Sequence, residues 1–140
     1  MASGPYMLTL QKVLETYFES GTFYGMLIGS YTENRDTHEF LTSVRSAEIA
    51  NGNGYTTNGK VVVPTVTFTS ATNVLTVTFP QLVWTTATIS AQGIVYYKEL
   101  GADSVDELCF VNKFGSTINS TNDDFTVPAS TFTWDFSDTD

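Results

Sequence analysis

The chain has 140 residues, 41% of them hydrophobic and 14% aromatic, enough for one domain whose core buries about two-thirds of the unfolded surface. Charged residues make up only 15%, so the surface must be largely neutral and polar, built from Thr, Ser, Asn and Gly. The net charge of -9, with the six basic residues scattered as Lys12, Arg35, Arg45, Lys60, Lys98 and Lys113, argues against nucleic-acid binding and against adhesion to an anionic membrane.

Residues 1–7 read as a short flexible arm. Leu10, Val13, Leu14, Tyr17 and Phe18 then recur at i, i+3, i+4, i+7 and i+8, which predicts a helix with Gln11, Lys12, Glu15 and Glu19 on its polar side. Gly21 is its expected stop. Phe23 to Gly29 reads as a buried strand and Thr32 to Asp36 as a polar loop. Asp36-Thr37-His38-Glu39 has the form of a capping box, which predicts a short second helix through Phe40, Leu41 and Val44. Ser46 to Ala50 fits a short strand. Asn51-Gly52-Asn53-Gly54 is a strong turn signal, because both residue types tolerate positive φ.

The clearest period-2 pattern follows. Thr65 to Thr69 and Val74 to Phe79 alternate around Ser70-Ala71-Thr72-Asn73, which predicts a β-hairpin. Val66, Phe68, Leu75, Val77 and Phe79 form its apolar face and threonines the other. Ala87 to Ala91 leads into Gly93 to Tyr97, the most apolar strand candidate and so the expected central one. Phe68, Leu75, Val77, Ile94, Val95 and Phe110 are the predicted core. Lys98 to Glu107 reads as an acidic loop, Leu108 to Phe114 as a strand and Gly115 to Asp124 as a loop. Phe125 to Val127 and Thr131 to Phe136 alternate again around Pro128, which suggests an edge or a bend. Residues 137–140 are an acidic tail. The expectation is one mainly β domain over 1–140, an antiparallel β-sandwich of roughly seven or eight strands with an N-terminal α-helix and one short helix.

Chemistry-bearing patterns are sparse. His38 is the only histidine, and no Gly-x-Ser-x-Gly elbow accompanies it, so a residue at a helix start is expected rather than a catalytic base. Asp106-Glu107 and Asp123-Asp124 are acidic pairs in expected loops, without the spacing of a calcium loop. Cys109 has no second cysteine to pair with, and a small buried strand residue is expected. Asn119-Ser120-Thr121 matches a glycosylation sequon, and no secretory leader is read at the N-terminus. Gly52 and Gly54 have no helix behind them to cradle a phosphate. Trp84, Tyr96, Tyr97, Trp134 and Phe136 suit either a core or sugar stacking. No catalytic, cofactor-binding or metal-binding residue is assigned.

Tyr31-Thr32-Glu33-Asn34-Arg35-Asp36-Thr37-His38-Glu39-Phe40, then Glu48, Asn51-Gly52-Asn53-Gly54-Tyr55, Gly59-Lys60, Trp84, Ala87 to Ala91, Val95-Tyr96, Phe125 and Trp134, occur in an order that resembles a family of small virion structural proteins of tailed bacteriophages. The resemblance covers most of residues 10–136. Gln92-Gly93 and the acidic loop Lys98 to Glu107 depart from the family pattern, so no interface residue is carried over. The resemblance implies a structural role without catalysis, made in the host cytoplasm and located in the virion. A capsid decoration (cement) protein that binds the major capsid protein on the head surface is the first expectation. A receptor- or glycan-binding fibre or tail module, or a neck or tail assembly protein, is the alternative. The Thr-rich strands, poor in charge, suggest a homo-oligomer, with a trimer ahead of a monomer or dimer.

Overall fold

A computed structural model describes residues 4–136. Of the expected arm, residues 1–3 lie outside the described residues, as does the whole acidic tail 137–140. Gly4 to Tyr6 lead into a helix that already begins at Met7.

The protein is mainly β, with antiparallel sheets and one N-terminal helix. In chain order the elements are α1 (Met7–Phe18), β1 (Thr22–Ile28), two 3-10 turns (Leu41–Ser43 and Arg45–Ala47), β2 (Lys60–Val62), β3 (Thr65–Thr69), β4 (Val74–Phe79), β5 (Leu82–Ala87), β6 (Ser90–Glu99), β7 (Glu107–Asn119), β8 (Asp123–Val127) and β9 (Ser130–Asp135). The nine strands among the described residues include one that alternation could not reveal, since β2 is only three residues long. The chain divides into two compact units. One takes the segment up to Gly21, Val63–Pro80 and the residues from Ala129; the other takes Thr22–Val62 and Gln81–Pro128.

The first unit is α1 with the three-stranded sheet β3-β4-β9. The predicted hairpin forms, with Val66 opposite Val77 and Phe68 opposite Leu75. Asn73 closes it at φ 53, and its carbonyl accepts the N–H of Phe136. Leu75, Val77 and Phe79 are fully buried, so the apolar face points inward as expected. Phe132 of β9 sits across from Val77 on that face and meets Phe79 at 6.2 Å between ring centroids. Phe18 joins both rings from α1, at 6.3 Å and 5.8 Å. These are the offset and edge-on arrangements that aromatic quadrupoles favour. The other face carries threonine rows, Thr67-Thr76-Thr133 and Thr65-Thr78-Thr131, whose β-branched side chains pack across strands.

Four residues of this unit depart from the sequence reading. Val13 is 59% exposed, while Gln11 and Glu15 are half-buried and hydrogen-bonded to each other at 2.7 Å. The inward stripe of α1 is Leu10, Leu14 and Phe18 with Gln11 beside it, and Val13 lies outside it. The five apolar positions spanned more arc than the helix turns inward. Phe68 is only half-buried, because it sits one residue from the end of β3 that leads into the exposed turn. Glu19, just past α1, accepts the backbone N–H of Val66 at 2.7 Å and so covers a main-chain donor on the edge strand β3.

The second unit holds the four-stranded sheet β2-β1-β6-β7 and the ribbon β5-β8. The strand predicted to be central is central: β6 lies between β1 and β7. Both β1 and β6 are buried on both faces, which is why they read as continuous apolar runs rather than alternations. Met26, Ile28, Val95 and Tyr97 face a cluster with Leu41 and Val44 from the irregular segment. On the opposite face Gly25 leaves room for Leu82 of β5; a Cβ there would lie 2.5 Å from the Leu82 Cδ1. β7 carries two irregularities against β6. Cys109 is the extra residue between Phe110 and Leu108, and a wider one spans Phe114 to Thr117. These bulges leave Cys109 and Phe110 half-buried rather than in the core.

The capping box at Asp36 does not form. Asn34 Oδ1 accepts the N–H groups of Asp36 and Thr37 instead, both at 3.2 Å, making a local turn. The helical character comes later and only as the two 3-10 turns. The strand expected at Ser46 to Ala50 reduces to one bridge, Glu48 to Ile28.

Leu75→Ala should cost about 2–5 kcal/mol, the range for emptying a fully buried leucine site. Phe68→Ala should cost clearly less than Leu75→Ala, since its ring keeps solvent contact. Urea unfolding of both variants checks the order; a larger loss at Phe68 would place that ring inside the core.

Candidate functional site

The most developed polar cluster is built by three stretches that come together around Glu48. Arg45 leaves the second 3-10 turn and sets two guanidinium N–H groups on Asp103, Nε to Oδ2 at 2.7 Å and Nη2 to Oδ1 at 2.8 Å. Its Nη1 reaches Glu48 Oε2 at 2.7 Å. Glu48 Oε1 accepts the Tyr55 hydroxyl at 2.9 Å and the Asn58 N–H at 2.6 Å. The Tyr55 hydroxyl in turn accepts the N–H of Leu27 at 3.2 Å. The reason lies in the sheet. β2 pairs with β1 only from Phe23 to Gly25, so past Lys60 the β1 edge needs other partners. Tyr55 and the Ala47–Ile49 stretch supply them, the latter through Gly29 N–H to Ala47 O and Ile49 N–H to Leu27 O.

Beside this cluster is a cavity of about 150 Å³ lined by Tyr24, Arg45, Asn58, Tyr97, Asp103 and Asp106. Asp106 was expected to be solvated in a loop but is only 4% exposed. Its carboxylate accepts the Leu100 N–H at 2.6 Å and its carbonyl accepts Leu41 N–H, so it folds the acidic loop back onto the first 3-10 turn. The ionisation states follow. Burial, with Glu48 nearby, pushes the Tyr55 hydroxyl well above its usual 10.0, and burial does the same to Tyr97. The hydrogen bonds from Arg45 hold the Asp103 carboxyl below its usual 3.8 and hold Arg45 itself firmly charged. Every donor that Arg45 offers along these directions already has an acceptor. The cluster holds three segments of the chain together.

The other candidate residues are placed apart. His38 Nδ1 accepts the Asn34 N–H at 3.3 Å and lies 2.7 Å from the Tyr31 hydroxyl, in the loop rather than on a helix. Because that nitrogen accepts from a backbone amide, the hydroxyl donates to it as well. The same loop is tied to β7 by Lys113, which bonds Tyr31 O at 2.7 Å and Glu33 Oε2 at 2.9 Å. That bond from Lys113 lowers the Glu33 carboxyl from its usual value. Asp123 and Asp124, expected in a loop, begin β8; Asp124 Oδ1 accepts the N–H of Thr86, whose φ of 48 marks the kink in β5. Ser120 of the sequon donates to Ala87 O at 2.8 Å and accepts Ile89 N–H at 3.2 Å, so its hydroxyl closes the junction of β5 and β6. Among the five aromatics considered for sugar stacking, Trp84, Tyr96 and Tyr97 are buried, and Trp134 and Phe136 are half-buried. Trp84 packs between Phe125 and Tyr55, with Lys60 Nζ 5.7 Å from its ring centroid.

Sequence reasoning passed over Arg45, Glu48, Tyr55 and Asp103. The i, i+3 spacing of Arg45 and Glu48 was visible, but Asp103 lies 58 residues from Arg45 and carries no local signal. Among the described residues no group of three or more His, Cys, Asp or Glu is placed to hold a metal ion, and no helix is long and apolar enough to cross a membrane. Exposed apolar side chains mark the first unit at Tyr6, Leu8 and Val13, at 89%, 65% and 59% exposure. Comparison with protein-family models, with curated proteins and with solved structures finds no match.

Asp103→Asn should lower stability at neutral pH by at most about 1 kcal/mol, because the pair is partly exposed. A depressed folded pKa stabilises above the unfolded value and is lost as pH falls through the folded one. The gap between variant and parent should therefore close below pH 3.8. The tyrosines act in the opposite sense: their neutral forms favour the fold up to about pH 10, and that contribution is lost as pH rises further. Urea unfolding across a pH series reads both; a gap that widened in acid would contradict the Arg45–Asp103 assignment.

Proposed function

We propose that this chain is a non-enzymatic structural protein of a tailed-bacteriophage virion, a decoration protein that attaches to the outside of the assembled head. The observation that carries the reading is the apolar exposure at the start of the chain. Tyr6 at the N-cap of α1, and Leu8 and Val13 on it, stand largely in solvent, and the one buried residue of that helix is Phe18. Large apolar side chains left in solvent gain by being covered, which attachment to a partner supplies. The polar clusters support the same reading, since their donors and acceptors are spent on joining loops to strands. The resemblance in sequence order to small phage virion proteins supplies the partner class, the major capsid protein.

Attachment would stabilise the shell by linkage: a subunit that binds the assembled lattice and not the dissociated one shifts the equilibrium toward the lattice. A surface poor in charge and rich in threonine, with a net charge of -9, suits a subunit that stays dissolved until it docks. The Thr-rich strands support a homo-oligomer, with a trimer as the first form to test. A glycan-binding module is less well supported, because Trp84, Tyr96 and Tyr97 are committed to the core.

The test is co-sedimentation with purified phage capsids. The double variant Leu8→Gln, Val13→Gln should keep its circular dichroism and unfolding midpoint, since both side chains are exposed. It should bind capsids about tenfold more weakly, the loss expected when one or two interface anchors go. Deletion of residues 1–6 should weaken attachment in the same direction. Unchanged capsid binding in both variants would remove the N-terminal surface from the reading, and no capsid binding by the parent would remove the decoration role.

A further inference from the structure

The chain contains three Asn–Gly steps, Asn51-Gly52, Asn53-Gly54 and Asn58-Gly59. Such steps can modify themselves. The glycine backbone nitrogen attacks the asparagine side-chain carbonyl carbon and a C–N bond forms. The bond to the side-chain nitrogen breaks, and ammonia leaves with the proton from the backbone nitrogen. Water then opens the cyclic imide at either carbonyl, giving aspartate or isoaspartate. The net change is one water consumed and one ammonia released. Glycine permits the approach because it has no Cβ to crowd it.

The three steps share a sequence but not an environment. Gly52 N–H donates to Tyr55 O at 2.8 Å, and Gly59 N–H donates to Thr56 O at 2.9 Å. Both nucleophiles are therefore committed. The Asn51 side chain is also held, its Oδ1 accepting from Thr57 N at 3.0 Å. Gly59 lies against the backbone of Gly25, where even a Cβ would come within 1.9 Å of the Gly25 oxygen, so the Asn58-Gly59 peptide has no room to turn. At Asn53-Gly54 the peptide packs against Ala87, where a Cβ on Gly54 would lie 2.7 Å from the Ala87 Cβ, but among the described residues no acceptor engages the Gly54 N–H and no partner holds the Asn53 side chain. Asn53 and Gly54 are exposed, at φ 55 and 96, as the two central residues of a tight turn between Gly52 and Tyr55.

We propose that Asn53 is the site of spontaneous self-modification in the folded protein, converting to aspartate and isoaspartate through attack by Gly54 N. Ring closure turns the Asn53-Gly54 peptide, which packs against Ala87, and releases the bond from Thr88 N–H to Asn53 O at 2.9 Å. The isoaspartate product carries the extra methylene in the main chain, so the Gly52–Tyr55 pairing no longer fits. Tyr55 is the residue that this turn delivers to Glu48 and Leu27. The modification thus acts on the tie between the long loop and β1.

The test is to incubate the folded full-length chain in mildly alkaline buffer and map its peptides by mass spectrometry, separating aspartate from isoaspartate forms. A gain of about one mass unit should appear first at Asn53. It should run about five- to tenfold ahead of Asn51 and Asn58, where a hydrogen bond must first be broken. In urea the three rates should converge, because the folded environment that separates them is gone. Asn53→Gln should remove the early product. The proposal is overturned if Asn51 or Asn58 reacts as fast as Asn53 in the folded chain. It is equally overturned if Asn53 stays intact while the urea-unfolded chain converts, or if the early gain survives in Asn53→Gln.

Discussion

Glu48 holds the stretch from Gly29 to Gly59 in place. That stretch contains only two 3-10 turns and isolated bridges, and long irregular segments need specific ties because they lack a ladder. Its carboxylate, 8% exposed, accepts from Arg45, from Tyr55 and from the Asn58 backbone. A carboxylate this enclosed is tolerable only when its lone pairs are filled and a cation stands beside it. Arg45 meets that need and passes the tie on to Asp103, so one buried acid fixes the loop to the sheet edge at one end and to the acidic loop at the other. Tyr55 completes the arrangement: its hydroxyl satisfies a β1 amide that β2 is too short to reach.

The same economy explains the glycines. β1 and β6 are covered on both faces, which leaves no cheap space near them. Gly25 makes space for Leu82, and Gly59, at φ 83, makes a close backbone approach to Gly25. An alanine at Gly59 would meet a carbonyl oxygen and a disfavoured φ together. The sheet of the first unit is built on the other plan. It is apolar on one face and threonine on the other, so its strands alternate while β1 and β6 do not.

That difference decides what could be read from the sequence. The hairpin of β3 and β4, its inward face and its turn at Asn73 were legible because a one-sided sheet writes its burial into a period of two. β6 was legible as central from its unbroken apolar run. The second helix was not, because Asn34 Oδ1 takes the Asp36 N–H that Glu39 would accept in a capping box, together with the N–H of Thr37. Val13 was misplaced because an apolar arc wider than the covered face leaves its end residue outside. β2 was too short to show a period. The Glu48 cluster was hidden for a different reason: Arg45 meets Asp103 only after the loops close, and nothing local distinguishes Asp106, buried, from Asp123, exposed.

The distribution of polar work bears on function. Charged residues are 15% of the chain, and several of the basic ones are already engaged: Arg45 with Asp103 and Glu48, Lys113 with Glu33 and the Tyr31 carbonyl, Lys60 over Trp84. Here the enclosed carboxylates and phenols satisfy backbone amides or one another. Among the outward groups of the first unit are Tyr6, Leu8 and Val13, and the threonine rows on one face of its sheet. Surfaces of that kind gain by being covered, through burial of apolar area and pairing across threonine faces. The proposed attachment role draws on these outward groups, while the Arg45, Glu48 and Asp103 ties brace the loops.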